Sequence, residues 1–180
     1  MFIEYIQDME KIGIIFSNGL NNNEISQIET VYNIVFPDIY KQFLREKLPI
    51  SNGFYNWRDF SEKNIKTISE IINKPTETLK ELWSEIEWSE NWGNIPISEN
   101  YKKNAIFSKI EKAPKIIPIY SHRYIPCIGD DPPILSIYDT DVIYYGKNLV
   151  DYLNNEFFNH KIDNILKNYD YIPFWSDLME

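Results

Sequence analysis

Near residue 113 the apolar residues of this 180-residue chain change their period, and that change sets the fold class. Upstream, apolar side chains recur every three or four residues, the spacing that lines up one face of an α-helix. Downstream, the runs IIPIY, RYIPCI, ILSIY and VIYY, between Ile116 and Tyr145, are short, β-branched and aromatic, and turn residues separate them. After Gly146 helical spacing returns at Leu149, Val150, Leu153 and Phe157. Helices, then a strand meander, then a helix predict an α+β fold: N-terminal helices packed on a twisted, mainly antiparallel sheet, with a further helix after it. No internal repeat or low-complexity linker divides the chain, and its length suits a single domain spanning 1–180.

Local signals place the elements. Phe2, Ile3, Ile6 and Met9 predict a short opening helix. SNGLNNN (17–23) reads as a loop, because Gly19 and the Asn run tolerate positive φ and compete with helix. Asn23 is placed to cap a helix with Ile25, Ile28, Val31, Tyr32 and Val35 on one face. Pro37 suits the first turn of the next helix, whose stripe is Ile39, Tyr40, Phe43, Leu44 and Leu48; Pro49 and Asn52-Gly53 stop it. A stretch from Ser61 carries Ile65, Ile68 and Ile72, and Pro75 opens another with Leu79, Leu82, Trp83 and Ile86 inward. WSENWGNIP (88–96) is a break, after which a helical pattern returns over 98–112 with Tyr101, Ala105, Ile106 and Ile110. Asp130 to Pro133 form a loop, and Asp139 to Asp141 a tight connection between paired strands.

Charge narrows the partners. Eighteen Lys and Arg against 27 Asp and Glu give a net charge of −9. Nucleic-acid affinity comes from clustered cations that displace counterions, so direct nucleic-acid binding is not expected. An acidic surface favours basic partners, chiefly by steering the encounter. One cysteine cannot form an internal disulfide, so nothing here supports an oxidising compartment. The opening MFIEYIQDMEKIGIIF is amphipathic and acidic, unlike a signal peptide, and no run approaches the ~20 apolar residues a membrane span needs. The expectation is a soluble, cytoplasmic protein with no membrane partner.

The stretch PKIIPIYSHRYIPCIGDD (114–131) gathers His122, Arg123, Cys127, Asp130 and Asp131 within ten residues. A nucleophilic cysteine needs a base in reach and a lowered pKa. Cys127 instead sits between Pro126 and Ile128 in a strand-like run, where His122, five positions away, points to the opposite face. Zinc would want four ligands at recognisable spacing, and one Cys with two distant His at 122 and 160 does not supply them. Asp139-x-Asp141 alone is weak support for a metal. No Gly-rich phosphate loop or G-x-S-x-G elbow occurs. The reading is a non-enzyme with no catalytic residues, metal or cofactor; a hydrolase using His122 with Asp130 or Asp131 is the least favoured alternative.

More suggestive is ELWSEIEWSENWG (81–93), which interleaves Trp83, Trp88 and Trp92 with Glu81, Glu85, Glu87 and Glu90. Large amphipathic surface beside concentrated negative charge suits docking onto a basic protein, with aromatics as anchors and carboxylates as steering groups. Trp83 fits the preceding helix stripe. The candidate partner-binding residues are Glu85, Glu87, Trp88, Glu90 and Trp92, with Asp130 and Asp131 adding an acidic turn.

Four blocks in order carry a family resemblance: EISQIETVYNIVFPDIYKQFL, GFYNWRDF, APKIIPIYSHRYIPC and PPILSIYDTDVIYYGKNLVDYLNNEF. Together they resemble the SUKH superfamily, the bacterial relatives of the fungal Smi/Knr cell-wall-assembly regulators, over about residues 20 to 158. The resemblance implies an α+β domain and, for bacterial members, immunity proteins that bind and neutralise polymorphic toxins, often nucleases or deaminases. Fungal relatives act as interaction hubs, so a regulatory scaffold in cell-wall or stress signalling is the alternative. The superfamily supplies no fixed ligand set to transfer to these positions, and the acidic 130–133 turn and the FWSDLME tail depart from the part that aligns.

Overall fold

The period change at residue 113 becomes the boundary between helices and sheet in the computed structural model, which describes residues 1–158 and 168–179. Before it run α1 (Ile3–Lys11), β1 (Phe16–Asn18), α2 (Asn22–Tyr32), α3 (Asp38–Glu46), β2 (Lys47–Pro49), α4 (Glu62–Glu81) and α5 (Glu99–Lys112). After it come β3 (Ile116–Tyr120), β4 (Arg123–Pro126), β5 (Ile134–Tyr138), β6 (Asp141–Gly146) and α6 (Leu149–Phe157). Strands β3 to β6 pair in sequence order as an antiparallel meander. The expected α+β architecture, with helices before and after the sheet, is the one observed.

The sheet is covered on both faces. Ile117, Ile119, Ile125 and Ile134 point into a core shared with α1, α2, α3, α6 and, through Ile68 and Ile72, the first half of α4. Ile116, Tyr124, Leu135, Ile137 and Val142 point the other way, into a core with Leu79, Ile106, Ile110 and the tail residues Ile172, Phe174 and Trp175. Two covered faces explain why β3 and β5 show apolar runs instead of clean alternation with polar residues.

Helix α4 passes from one core to the other, and it is continuous through Pro75, where the sequence predicts two helices. Proline removes one intrahelical bond and strains the turn before it. Burial of Ile68 and Ile72 on one side of Pro75, and of Leu79 on the other, holds both halves in line.

Close approach explains a second difference. A Cβ on Gly19 would coincide with the Arg45 carbonyl, so the loop passes directly over the end of α3. Leu20 N–H donates to Leu44 O at 2.8 Å there, and β1 pairs with β2, with Phe16 opposite Pro49. Leu48 is therefore buried in a strand, not on the helix stripe. Arg58 completes the corner: it donates to Glu24 Oε1 at 2.6 Å, Ser17 Oγ at 3.0 Å and Gly19 O at 2.9 Å.

Caps and stripes are mostly where periodicity predicts, with exceptions. The α2 cap is Asn21, not Asn23: its side chain accepts from Glu24 N–H and Glu24 accepts from Asn21 N–H, a capping box. Ile3, Val31, Val35 and Tyr101 face solvent, while their stripe neighbours Ile6, Ile28, Tyr32 and Ile106 are buried. Trp57 is fully buried, packed edge-on against Tyr32 at 5.5 Å and Phe36 at 5.2 Å between ring centroids.

Candidate functional site

Leaving α4, the chain makes a 3₁₀ turn at Trp83–Glu85 and another at Glu90–Trp92. Tight turns put successive side chains on different sides, and the tryptophans take the inner ones. Trp88 and Trp92 are half-buried on the second core and meet edge-to-face at 5.4 Å. Trp92 also stacks on Phe174 at 6.1 Å, with Lys109 Nζ 5.0 Å from its ring centre. Both indole N–H groups are used within the chain: Trp88 donates to Gly93 O at 2.8 Å, and Trp92 to Asp177 Oδ2 at 2.7 Å. Asp177 is buried and also accepts from Asn91 Nδ2 at 3.0 Å and Tyr171 OH at 2.8 Å. Trp92 thus fastens the 88–93 turn to the C-terminal tail, and Trp88 closes the turn on itself and packs against Trp92.

The carboxylates take the outer sides. Glu85, Glu87 and Glu90 are exposed, and none has an ion-pair partner among the described residues. Glu85 and Glu87 line a shallow hollow with Thr140 of the β5–β6 turn, whose flanking Asp139 and Asp141 are exposed. Large apolar residues exposed in the chain that follows are Ile95, Ile97 and Tyr101. Sequence reading placed Tyr101 inside the α5 stripe and passed over the two isoleucines. The signal available was their position around Pro96, in a break where no helix or strand could turn them inward.

Asp130 and Asp131 lie elsewhere, at the loop joining β4 to β5. Asp130 is exposed, and its carbonyl accepts from Ile39 N–H at 3.0 Å. Asp131 Oδ1 accepts from Leu149 N–H at 3.1 Å at the start of α6. Partial burial raises its carboxyl above the usual range, against the pull of that N–H. Asp131 holds the helix entry in place. Because β4 separates His122 from Asp130 and Asp131, those three groups sit at opposite ends of a strand.

His122 and Arg123 part company at the β3–β4 turn. Arg123 faces α6, donating from Nε to Glu156 Oε2 at 2.9 Å and from a terminal nitrogen to Ser136 Oγ at 2.7 Å. Its guanidinium carbon lies 3.7 Å from the Tyr145 ring centre. His122 is exposed, with Nδ1 3.2 Å from Ser121 Oγ. Partial burial, then the Arg123 charge, lower its pKa. Cys127 is half-buried, its N–H donates to Lys115 O at 2.7 Å, and burial pushes its thiol up to about 11, which suits packing and not nucleophilic attack.

Beside His122 a cleft of about 420 Å³ opens between α4 and the ends of β4 and β5. Ile71, Pro75, Tyr124 and Ile137 line it, with Lys74, Thr78, Tyr55, His122 and Asp139 around them. Two backbone positions beside it hold left-handed conformations without glycine, Ser121 (φ 48°) and Asp139 (φ 53°). Tyr55 OH supports the first by donating to Ser121 O at 2.6 Å.

Among the described residues no group of three or more His, Cys, Asp or Glu is placed to hold a metal ion, and no helix is long and apolar enough to cross a membrane. His160 lies outside the described residues. Comparisons with family models, with curated proteins and with solved structures each give no match.

Proposed function

We propose that this chain is a SUKH-type immunity protein that binds a basic protein toxin, a nuclease or deaminase, and blocks it stoichiometrically without catalysis. One observation carries the reading. Glu85, Glu87 and Glu90 are exposed carboxylates with no ion-pair partner among the described residues, and exposed Ile95, Ile97 and Tyr101 follow in the same stretch of chain. Unpaired carboxylates steer a cationic partner and match groups that otherwise hold phosphate; apolar side chains beside them supply the desolvated centre of an interface.

Trp88 and Trp92 have a supporting role in this reading. They stiffen the turn that presents the carboxylates, and the contact anchors are Ile95, Ile97 and Tyr101. The blocks quoted for the SUKH resemblance and the net charge of −9 point the same way. Co-expression with the toxin encoded beside the gene tests it: growth should be restored and a one-to-one complex should copurify. Cell death despite abundant folded protein, or rescue without any complex, would overturn the proposal.

A further inference from the structure

The cleft beside His122 has features that docking at the acidic surface does not use. Four residues of α4 share the helix face that lines it: Ile71, Lys74, Pro75 and Thr78, spaced by three and four. Ile71 and Pro75, with Ile137 of β5, make its floor apolar. Tyr124 reaches the same space from β4. Its side chain is only 5% exposed, yet its hydroxyl makes no hydrogen bond among the described residues. That hydroxyl is not withdrawn from water but opens onto the cleft, where it is free to donate to a ligand. Lys74, at the rim, has no ion-pair partner among the described residues either.

We propose that this cleft binds a small monocarboxylate with an apolar body, its carboxylate held between the Tyr124 hydroxyl and the Lys74 ammonium and its body lying on Ile71, Pro75 and Ile137. The volume falls within the range of small-ligand sites, roughly 300–1,000 Å³. Burial keeps the Tyr124 phenol far above its ordinary pKa, so it stays a donor at any physiological pH. Tyr55 spends its hydrogen on Ser121 O and offers only its oxygen, so it accepts from ligand and does not compete for the carboxylate. Asp139 on the rim sets the charge limit. One cation and one neutral donor facing a carboxylate suit a single negative charge; a phosphate dianion would want clustered cations. An amine on the ligand would meet Asp139. The site is independent of toxin binding and survives failure of that reading.

Phenylacetate is the probe, with phenylacetamide as its neutral counterpart and inorganic phosphate as the dianion. Two-dimensional amide NMR of the full chain should show saturable shifts at Lys74, Thr78, His122 and Tyr124 with millimolar phenylacetate, and none with the amide. Tyr124→Phe and Lys74→Gln should each weaken binding by about tenfold or more, the usual effect of removing a hydrogen bond to a charged group. Tyr124→Phe should keep the wild-type melting temperature, because its hydroxyl leaves no protein partner unpaired. Absence of saturable shifts, equal binding by either variant, equal binding of phosphate, or a melting temperature lowered by Tyr124→Phe would each overturn the proposal.

Discussion

Replacing Arg123 with Met tests whether the β4–α6 contact is a buried electrostatic joint or a surface ornament. Arg123 and Glu156 side chains are 12% and 16% exposed, and their N–O distance is 2.9 Å. Removing one partner of a buried pair strands the other charge, at a cost of about 3–5 kcal/mol. Water still reaches both groups, which argues for the lower end, and the Met side chain recovers part of the packing against Tyr145. The expected loss is therefore about 3 kcal/mol, which for a chain of this length lowers the melting temperature by roughly 6–12 °C. Glu156→Gln alone should cost about 2 kcal/mol, and the double variant about 3 instead of the additive 5, a coupling near 2 kcal/mol. Urea unfolding of the four proteins, with a check that their slopes agree, measures this directly. A loss below about 1 kcal/mol for Arg123→Met, or additivity within about 0.5 kcal/mol, would class the pair with exposed salt bridges and refute the reasoning.

Other perturbations read different parts of the fold. Tyr32 and Tyr152 bury hydroxyls that find no hydrogen-bond partner among the described residues, so Tyr32→Phe and Tyr152→Phe should each be neutral or mildly stabilising by thermal melting. A loss above about 1.5 kcal/mol in either would mean the hydroxyl holds an ordered water. At Glu24 the Arg58 side-chain bond, followed by the Asn21 N–H, lowers the folded carboxyl pKa below 4.5. A depressed folded pKa adds stability above the unfolded pKa and loses it as pH falls. The stability gap between wild type and Glu24→Gln should therefore be full at pH 7 and shrink below about pH 4.5. A gap that stays constant in acid titration would show that the carboxylate charge is not what Arg58 and Asn21 hold.

Much of the architecture was legible because it rests on periodicity. The helix-to-strand change near residue 113, the four strands of the meander and the Asp139–Asp141 turn all follow from side-chain spacing and turn chemistry. What escaped were features set by close tertiary approach. The β1–β2 ribbon depends on Gly19 crossing Arg45, and the continuity of α4 through Pro75 depends on two cores gripping one helix. Neither contact leaves a local signature. The same distinction runs through the candidate site. An exposed acidic character at Glu85, Glu87 and Glu90 could be read from composition, because charged side chains stay in water unless paired. Which aromatic faces outward could not: Trp92 turns inward onto Phe174 and Asp177 of the tail, some 85 residues away in sequence, and Trp88 packs against Trp92. Asp131 was grouped with the acidic surface by charge, whereas its carboxylate serves the α6 entry.

The central claim is that the Glu85–Tyr101 surface docks a basic toxin. Its most direct measurement is the association rate of the purified toxin with wild type and with a Glu85→Lys, Glu87→Lys, Glu90→Lys variant across a range of salt. Steering by unpaired carboxylates predicts that charge reversal slows association by at least tenfold at low salt and flattens its salt dependence, with dissociation changed far less. Association rates that match wild type at every salt concentration would contradict the account and move the binding surface elsewhere on the molecule.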